Sequence, residues 1–437
     1  MQKKRIVAST AMALVAAMAL SGCSMGSPSS GGDSSSDDAS GKTITVWAMK
    51  DDFTDETLDA INKAFEEKTG ATANVEIQEW DGITTKLTTA LSTSTPPDIV
   101  DLGNTQVSGF ADSGALMDLT DYKDELSEGN EWVGGLEEPA TIDGKLYAVP
   151  AFAAARAVVY NKTMWAEAGI TEAPTTWDEF IADLDTVAAA NADNPDFIPF
   201  YLPGQNWYSA LQFIWDAGGD VASDEDGTWK GTASSAEAIE GMNNWKDFQN
   251  KYSSEASRTV DTANPNQNQF LADGNTAAIL GNSNAISGIK ELNADMTDDD
   301  LGTFAMPGQS GENQPSMVAG SDWAIAAKSQ NQELAIEWVK IAASAEIQQE
   351  WIFAHDGWMP NSVEGLEEAM NSSDFPEVQR GFFEAAKNSK ATPASPNWAT
   401  IEGDKSINEF TQSVATGTSV EEAAKTFDDH LNEVLGE

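Results

Sequence analysis

The order of apolar and polar positions divides the chain into three stretches. Residues 6–20 are almost wholly apolar and small, behind Lys3, Lys4 and Arg5. Residues 24–41 are Ser, Gly, Asp and Pro, with Met25 the only large apolar side chain. From residue 42 onward, short alternating or apolar runs take turns with helical stripes. Residues 43–48 (TITVWA) alternate polar and apolar and predict a strand. Leu58, Ile61 and Phe65 share one helical face over residues 55–68, with acids in the first turn and Gly70 as the stop. Residues 72–78 predict a second strand, 82–93 a second helix, and 98–102 a third strand. Strand, helix, strand, helix, strand predicts a parallel sheet with right-handed crossovers.

The pattern then recurs in kind. Residues 156–160 read as a strand. Residues 176–190 read as a helix with Trp177, Phe180, Ile181, Leu184 and Val187 on one face, opened by a Thr176/Glu179 capping box. Strands are predicted at 277–280, 304–306 and 322–327. A helix at 331–344 aligns Leu334, Trp338 and Ile341, and Ser419 and Glu422 open a last helix striped by Val420, Ala424, Phe427, Leu431 and Val434. The class is α/β. No Pro/Gly/Ser-rich linker divides the body, which predicts two lobes with a chain that crosses between them more than once.

The first stretch explains the only cysteine, Cys23. A lone cysteine closes no intramolecular disulfide. A positive start, an apolar run too short to span a bilayer, then Ser21 and Gly22, predict a secretory signal over residues 1–22. Leu20-Ser-Gly-Cys23 resembles the bacterial lipobox, in which the cysteine is lipidated. Residues 23–41 then form a tether with a reach of about 25 Å. That places the body at the outer face of the cell membrane, anchored by lipid.

The formal charge of −47 disfavours nucleic acid, anionic lipid and phosphorylated ligands. It suits an uncharged or cationic ligand. Catalytic chemistry finds little support. There are two histidines, His355 and His430, the latter expected in solvent, and Gly281-Asn-Ser-Asn-Ala285 departs from a nucleophile elbow at its last position. The acidic runs at 224–227 and 298–300 lack the ligand spacing of a calcium loop, so no metal and no cofactor are expected.

The aromatic content points elsewhere. Sugars present flat C–H faces and paired hydroxyls, so their sites combine aromatic planes with Asp, Asn, Gln and Arg. Several of the 14 tryptophans sit in loop-like positions beside such groups. Ligands of parallel sheets gather beyond the strands' carboxyl ends. Those ends carry residues 47–52, with Trp47, Lys50 and Asp51 as candidates, then Trp80 and Asp81, then residues 103–106, with Asn104 and Gln106 as candidates, and the stretch 353–358 also pairs rings with polar groups. Further candidates are Phe152, Arg156, Asn206, Trp207, Tyr208, Asn282, Asp322, Trp323, Phe353, His355 and Asp356. Plainer roles stand beside several of them. Trp47 fits core as well as pocket, Asn104 fits a turn, and Asn206 and Asp322 fit caps. Arg156 fits a hydroxyl clamp or a partner for an acid. Trp177, Trp245 and Trp338 fall on apolar helix faces and read as core.

Seven runs, in order, resemble the extracellular sugar-binding proteins of ABC importers, the family that includes maltodextrin-binding protein. They are ITVWAMKDDFTDETLDAINKAFEEKTG, PPDIVDLGNTQVSGFADSGALMDLT, GKLYAVPAFAAARAVVYNKTMWAEAGI, PTTWDEF, FLADGNTAAILG, AGSDWAIAAKS and HDGWMPNS. The resemblance is strongest to oligosaccharide-binding proteins of gut actinobacteria. It implies a two-lobe periplasmic-binding-protein-like fold, each lobe a mostly parallel sheet flanked by helices. Lobe 1 would comprise residues 42–151 and 307–356, lobe 2 residues 152–306 and 357–437. Crossings would fall near 150–152, 306–307 and 356–359. It further implies a monomer that binds a neutral oligosaccharide and docks on ABC permease subunits. The ligands it suggests are raffinose-type α-1,6-galactosides or glucosides, with β-galactosides such as lacto-N-biose also open. A glycoside hydrolase with paired carboxylates is the alternative. A peptide or polyamine binder, which the charge would suit, is a third.

Overall fold

The computed structural model describes residues 39–436 apart from 81 and 226. Cys23, the signal segment, most of the tether and Asp81 lie outside the described residues. The strands that position the site are β1 (Thr43–Met49), β2 (Thr72–Gln78), β3 (Ile99–Gly103), β4 (Ala148–Ala154), β5 (Arg156–Asn161), β6 (Ala278–Asn282), β7 (Leu301–Phe304) and β8 (Ala319–Ile325). A five-stranded sheet runs in the order β2-β1-β3-β8-β4. β1 pairs in parallel with β2 and β3, as the strand–helix alternation predicts. β8 arrives from far along the chain and inserts antiparallel between β3 and β4.

The helices follow their sequence signals. Helix α1 (Asp55–Thr69) buries Leu58, Ile61 and Phe65, is capped by the Thr54 side chain, and ends on Gly70 in the left-handed region. Helix α2 (Ile83–Ser92) buries Ile83, Leu87 and Leu91. The helix Trp177–Ala190 has the Thr176/Glu179 capping box, and Phe180, Leu184 and Val187 are buried, with Trp177 and Ile181 packed against that core. Val420–Leu435 buries the predicted stripe through Leu431. Trp245 and Trp338 are fully buried. Among the described residues no helix is long and apolar enough to cross a membrane.

The second sheet differs from the expectation of parallel pairing. Its order is β6-β5-β7, and both pairings are antiparallel. β5 follows β4 after the single residue Ala155, so it enters directly from the first sheet without a helical crossover. It therefore runs against the two local strands on either side. Parallel pairing appears beyond β6, in the bridges Ile198–Thr276 and Tyr201–Ile279.

Candidate functional site

The loop after β1 turns sharply. Asp51 adopts φ 70°, and the Asp52 N–H returns to the Met49 carbonyl at 3.3 Å. This bend brings Lys50 to Asp55 against Ile77, Asp356, Gly357, Trp358 and Asn284, around a cavity of about 430 Å³. Asn284 stands at the start of the helix Ala285–Leu292, just after β6 of the second sheet. One cavity thus takes walls from loops that follow both sheets. Its size falls in the range of about 300–1,000 Å³ usual for small-molecule sites.

Bonds inside the protein hold the first wall in place. Trp80 follows β2, and its Nε1 donates to Asp52 Oδ1 at 3.3 Å. Its ring packs near Gly103, where an added Cβ would meet the indole at 3.7 Å, yet the side chain stays 41% exposed. Ser321 Oγ donates to Asp52 Oδ2 at 2.7 Å. Burial pushes the Asp52 carboxyl up to about 6, against the lowering pull of the Ser321 and Trp80 bonds. Trp358 donates from Nε1 to the Asp52 carbonyl at 2.8 Å and stacks on Phe152 at 4.5 Å. Asp356 accepts from Thr54 Oγ1 at 2.7 Å and Thr57 Oγ1 at 2.8 Å, joining the 355–358 loop to the start of α1. His355 Nδ1 lies 2.9 Å from Asp356 Oδ1.

A second cavity, of about 150 Å³, lies over the second sheet and is lined by Arg156, Asn206, Tyr208, Asn266, Asn282 and neighbours. The Arg156 guanidinium stacks over the Tyr208 ring at 3.6 Å, and burial lowers its pKa. Among the described residues its guanidinium makes no hydrogen bond or salt bridge. Trp207 lies against Tyr208 at 4.0 Å but is itself buried. Asn206 caps the helix Trp207–Asp216 by accepting from the Ser209 N–H, so it lines the cavity while serving as the cap its position allows.

Several candidates lie elsewhere. Trp323 is 0% exposed, stacked on Phe53 at 4.9 Å and edge-on to Trp338 at 4.8 Å. It is core, because β8 is an inner strand and its ring is enclosed. Asp322 is likewise 0% exposed, and neither carboxyl oxygen has a hydrogen-bond partner among the described residues. Phe353 packs with Phe375 and Phe383, away from both cavities. Asn104 is buried and donates to the Gly135 and Val318 carbonyls, a structural tie between loops. Gln106 folds back to accept the Gly103 N–H and lines a separate groove near α2. Trp47 bonds Glu76 on the outer β1–β2 rung and does not line either cavity. Phe152 is buried as the platform beneath Trp358. His430, expected in solvent, pairs with Asp404 at 2.7 Å.

The lining residues passed over include Phe53, Thr54 and Asn284 in the first cavity, and Thr262, Asn266, Gln267 and Asn268 in the second, while Asp52 and Trp358 close the stretches 47–52 and 353–358 that the sequence pointed to without being chosen themselves. Asp52 directly follows Asp51 and Phe53 comes one residue later, so the strand-end rule reached within two positions of both. The asparagine and glutamine run at 264–268 carried the same hydrogen-bonding chemistry and was the available signal for the second group.

Two sheets, the second entered directly from the first through Ala155, with a polar and aromatic cavity lined by loops that follow both, fit a two-lobe solute-binding fold. Residues 50–349 match the bacterial extracellular solute-binding protein family, and the chain belongs to that family. It is 35% identical to the diacetylchitobiose binding protein DasA of Streptomyces coelicolor, over 97% of this chain and 99% of that one. The sugar-binding protein MalE of Xanthomonas citri superposes with a TM-score of 0.77 at 22% identity, covering 90% of this chain and 97% of the other. A cyclo/maltodextrin-binding protein in complex with maltotetraose gives 0.75 at 20% identity, covering 90% and 98%. The resemblance read from the sequence is thereby borne out, and the chain is a solute-binding protein rather than an enzyme.

Proposed function

We propose that the chain captures a neutral oligosaccharide in the cavities above the two sheets and delivers it to ABC permease subunits. The observation that carries this reading is a division of chemistry. An exposed indole face at Trp80 stands after one sheet, and at Arg156 a guanidinium that rests on Tyr208 and feels the Glu402 charge, with no hydrogen bond among the described residues, begins a strand of the other. Rings suit the C–H face of a sugar, and a forked donor suits its hydroxyl or carbonyl oxygens. Lys50, Asp51, Asp52, Trp80, Asp356 and Trp358 would serve on the first side, with Arg156, Asn206, Tyr208 and Asn282 on the second. Hinge motion at the crossings would close the lobes on the ligand.

Two ligand classes lead. The full-length similarity to a diacetylchitobiose binder favours an N-acetylated disaccharide, whose amide oxygens match the donors of Arg156. Raffinose-type α-1,6-galactosides, with lacto-N-biose beside them, remain the reading from the sequence resemblance. Isothermal titration against N,N'-diacetylchitobiose, raffinose, isomaltose-type sugars and lacto-N-biose tests both. Saturable heat with any one supports the proposal, and no heat with a broad neutral glycan panel overturns it.

Lipidation at Cys23 and a monomeric body complete the proposal. Cys23→Ala should release the protein from membranes into the medium. Retention at the membrane would remove the anchor.

A further inference from the structure

The lining of the first cavity is uneven in its chemistry. Most of its side chains are polar or charged, among them Lys50, Asp51, Thr54, Asn284 and Asp356. Of the apolar ones, Met49 and Phe53 are buried, and Trp358 is half-buried on Phe152. Ile77 differs from all of these, because it lines the cavity and stands 49% exposed. Among the described residues the exposed large apolar side chains are Ile77, Trp80 and Leu292, and the first two flank the carboxyl end of β2.

The strand itself does not account for an isoleucine there. β2 is an edge of the five-stranded sheet, and exposed edges are guarded by charged side chains, since apolar ones invite pairing with another chain. The neighbours of Ile77 in the chain follow that rule and are engaged. Glu76 accepts from Trp47 Nε1 at 3.0 Å, and Glu79 accepts from Lys50 Nζ at 3.0 Å. Ile77 stands in register with Ala48, whose short, buried side chain covers little of it. A local rule broken at a cavity wall marks a functional position.

The C–H face of a sugar ring is broad and flat, and it suits an indole such as that of Trp80. A branched aliphatic side chain is a small convex knob, and it suits a methyl group. An acetamido substituent brings a methyl together with an amide N–H and C=O. The same cavity offers an acceptor for that N–H at Asp51 and a donor for that carbonyl at Asn284. A 6-deoxy sugar also carries a methyl group but has no amide for these two to bind. We propose that Ile77 is a specificity-determining residue. Its side chain receives the methyl of an acetamido group, so the site prefers an N-acetylated sugar to the same sugar bearing hydroxyls. This deepens the reading of the first cavity as a sugar site and rests on it. N,N'-diacetylchitobiose carries two acetamido groups, which leaves one for Arg156.

The test compares N,N'-diacetylchitobiose with cellobiose, the same β-1,4 disaccharide with hydroxyls in place of the acetamido groups. Calorimetry on the parent should show cellobiose binding more weakly or not at all. Ile77→Val removes one methylene and should weaken N,N'-diacetylchitobiose about fourfold. Ile77→Thr has the shape of valine with a hydroxyl in place of a methyl, and should weaken it about tenfold. Both variants keep the β-branch that suits a strand, so the melting temperature should hold. Any cellobiose binding should change less than about twofold. A second arm labels the isoleucine methyls with 13C and assigns Ile77 by the signal lost in Ile77→Val. A nuclear Overhauser effect from that methyl to an acetyl methyl of bound N,N'-diacetylchitobiose is expected, and its absence in the complex overturns the proposal. An equal loss for both sugars would make Ile77 a contact of lobe closure, and also overturns it. Binding of raffinose or of a fucosylated disaccharide, with none of N,N'-diacetylchitobiose, keeps the sugar reading and overturns this proposal. If no sugar binds, both fall.

Discussion

The two sides of the site are built differently. On the first sheet, Trp80, Asp52, Ser321 and Trp358 are joined by hydrogen bonds within the protein before any ligand arrives. On the second, Arg156 rests on Tyr208 with its donors unpaired, beside Asn282 at the strand end. The first side offers an ordered surface to lie on. The second offers hydrogen bonds still to be made. A ligand with one apolar face and an oxygen-rich rim matches both at once.

The sharpest way to break this comparison is to exchange a core ring for a site ring. Trp323→Ala should cost about 3–5 kcal/mol of stability, because the indole is enclosed by Phe53 and Trp338. Denaturant melts would show the loss. Arg156→Ala should leave the fold intact and weaken sugar binding by about 2–3 kcal/mol, from lost charge-assisted bonds. Arg156→Lys should recover only part, since a point charge lacks the fork. Titration calorimetry checks both. Trp80→Ala should weaken binding by about 1–3 kcal/mol through lost stacking. Trp47→Ala should leave affinity unchanged, because that ring lies on the outer rung beside Glu76. If Trp47 mattered as much as Trp80, the division into two sides would be wrong.

Stability should also follow pH in a defined direction. Asp52 rises from 3.8 to about 6 on folding, so the folded chain holds more protons than the unfolded one. Its contribution therefore falls as pH climbs from about 4 through 6. Asp52→Asn should flatten that part of the melting-temperature profile relative to the parent.

The sequence was informative where a local rule coincides with the global arrangement. The Thr54–Gly70 helix, the Thr176/Glu179 box and the first three strands follow from period and capping alone. The strand-end rule led to Lys50 and Asp51, which line the first cavity, and to Trp80, which bonds Asp52 of that lining, because parallel strands present their carboxyl ends on one edge. A ring beside a polar residue proved a poor guide elsewhere. Asp322 and Trp323 have the same local chemistry as a binding loop, but β8 inserts between β3 and β4 and is covered. Nothing within residues 319–325 reports which strands will flank them. Asn284 was missed for the converse reason, since it reaches the first cavity only through the meeting of distant loops.

The central claim is that an ordered ring surface and a set of unpaired donors jointly grip an uncharged oligosaccharide. A double-mutant cycle on Trp80→Ala and Arg156→Ala, read by titration with N,N'-diacetylchitobiose and raffinose, tests it most directly. The account predicts saturable binding by the parent to at least one sugar, and a loss in each single variant at unchanged melting temperature. Binding of that sugar with the same affinity in all four proteins would contradict it.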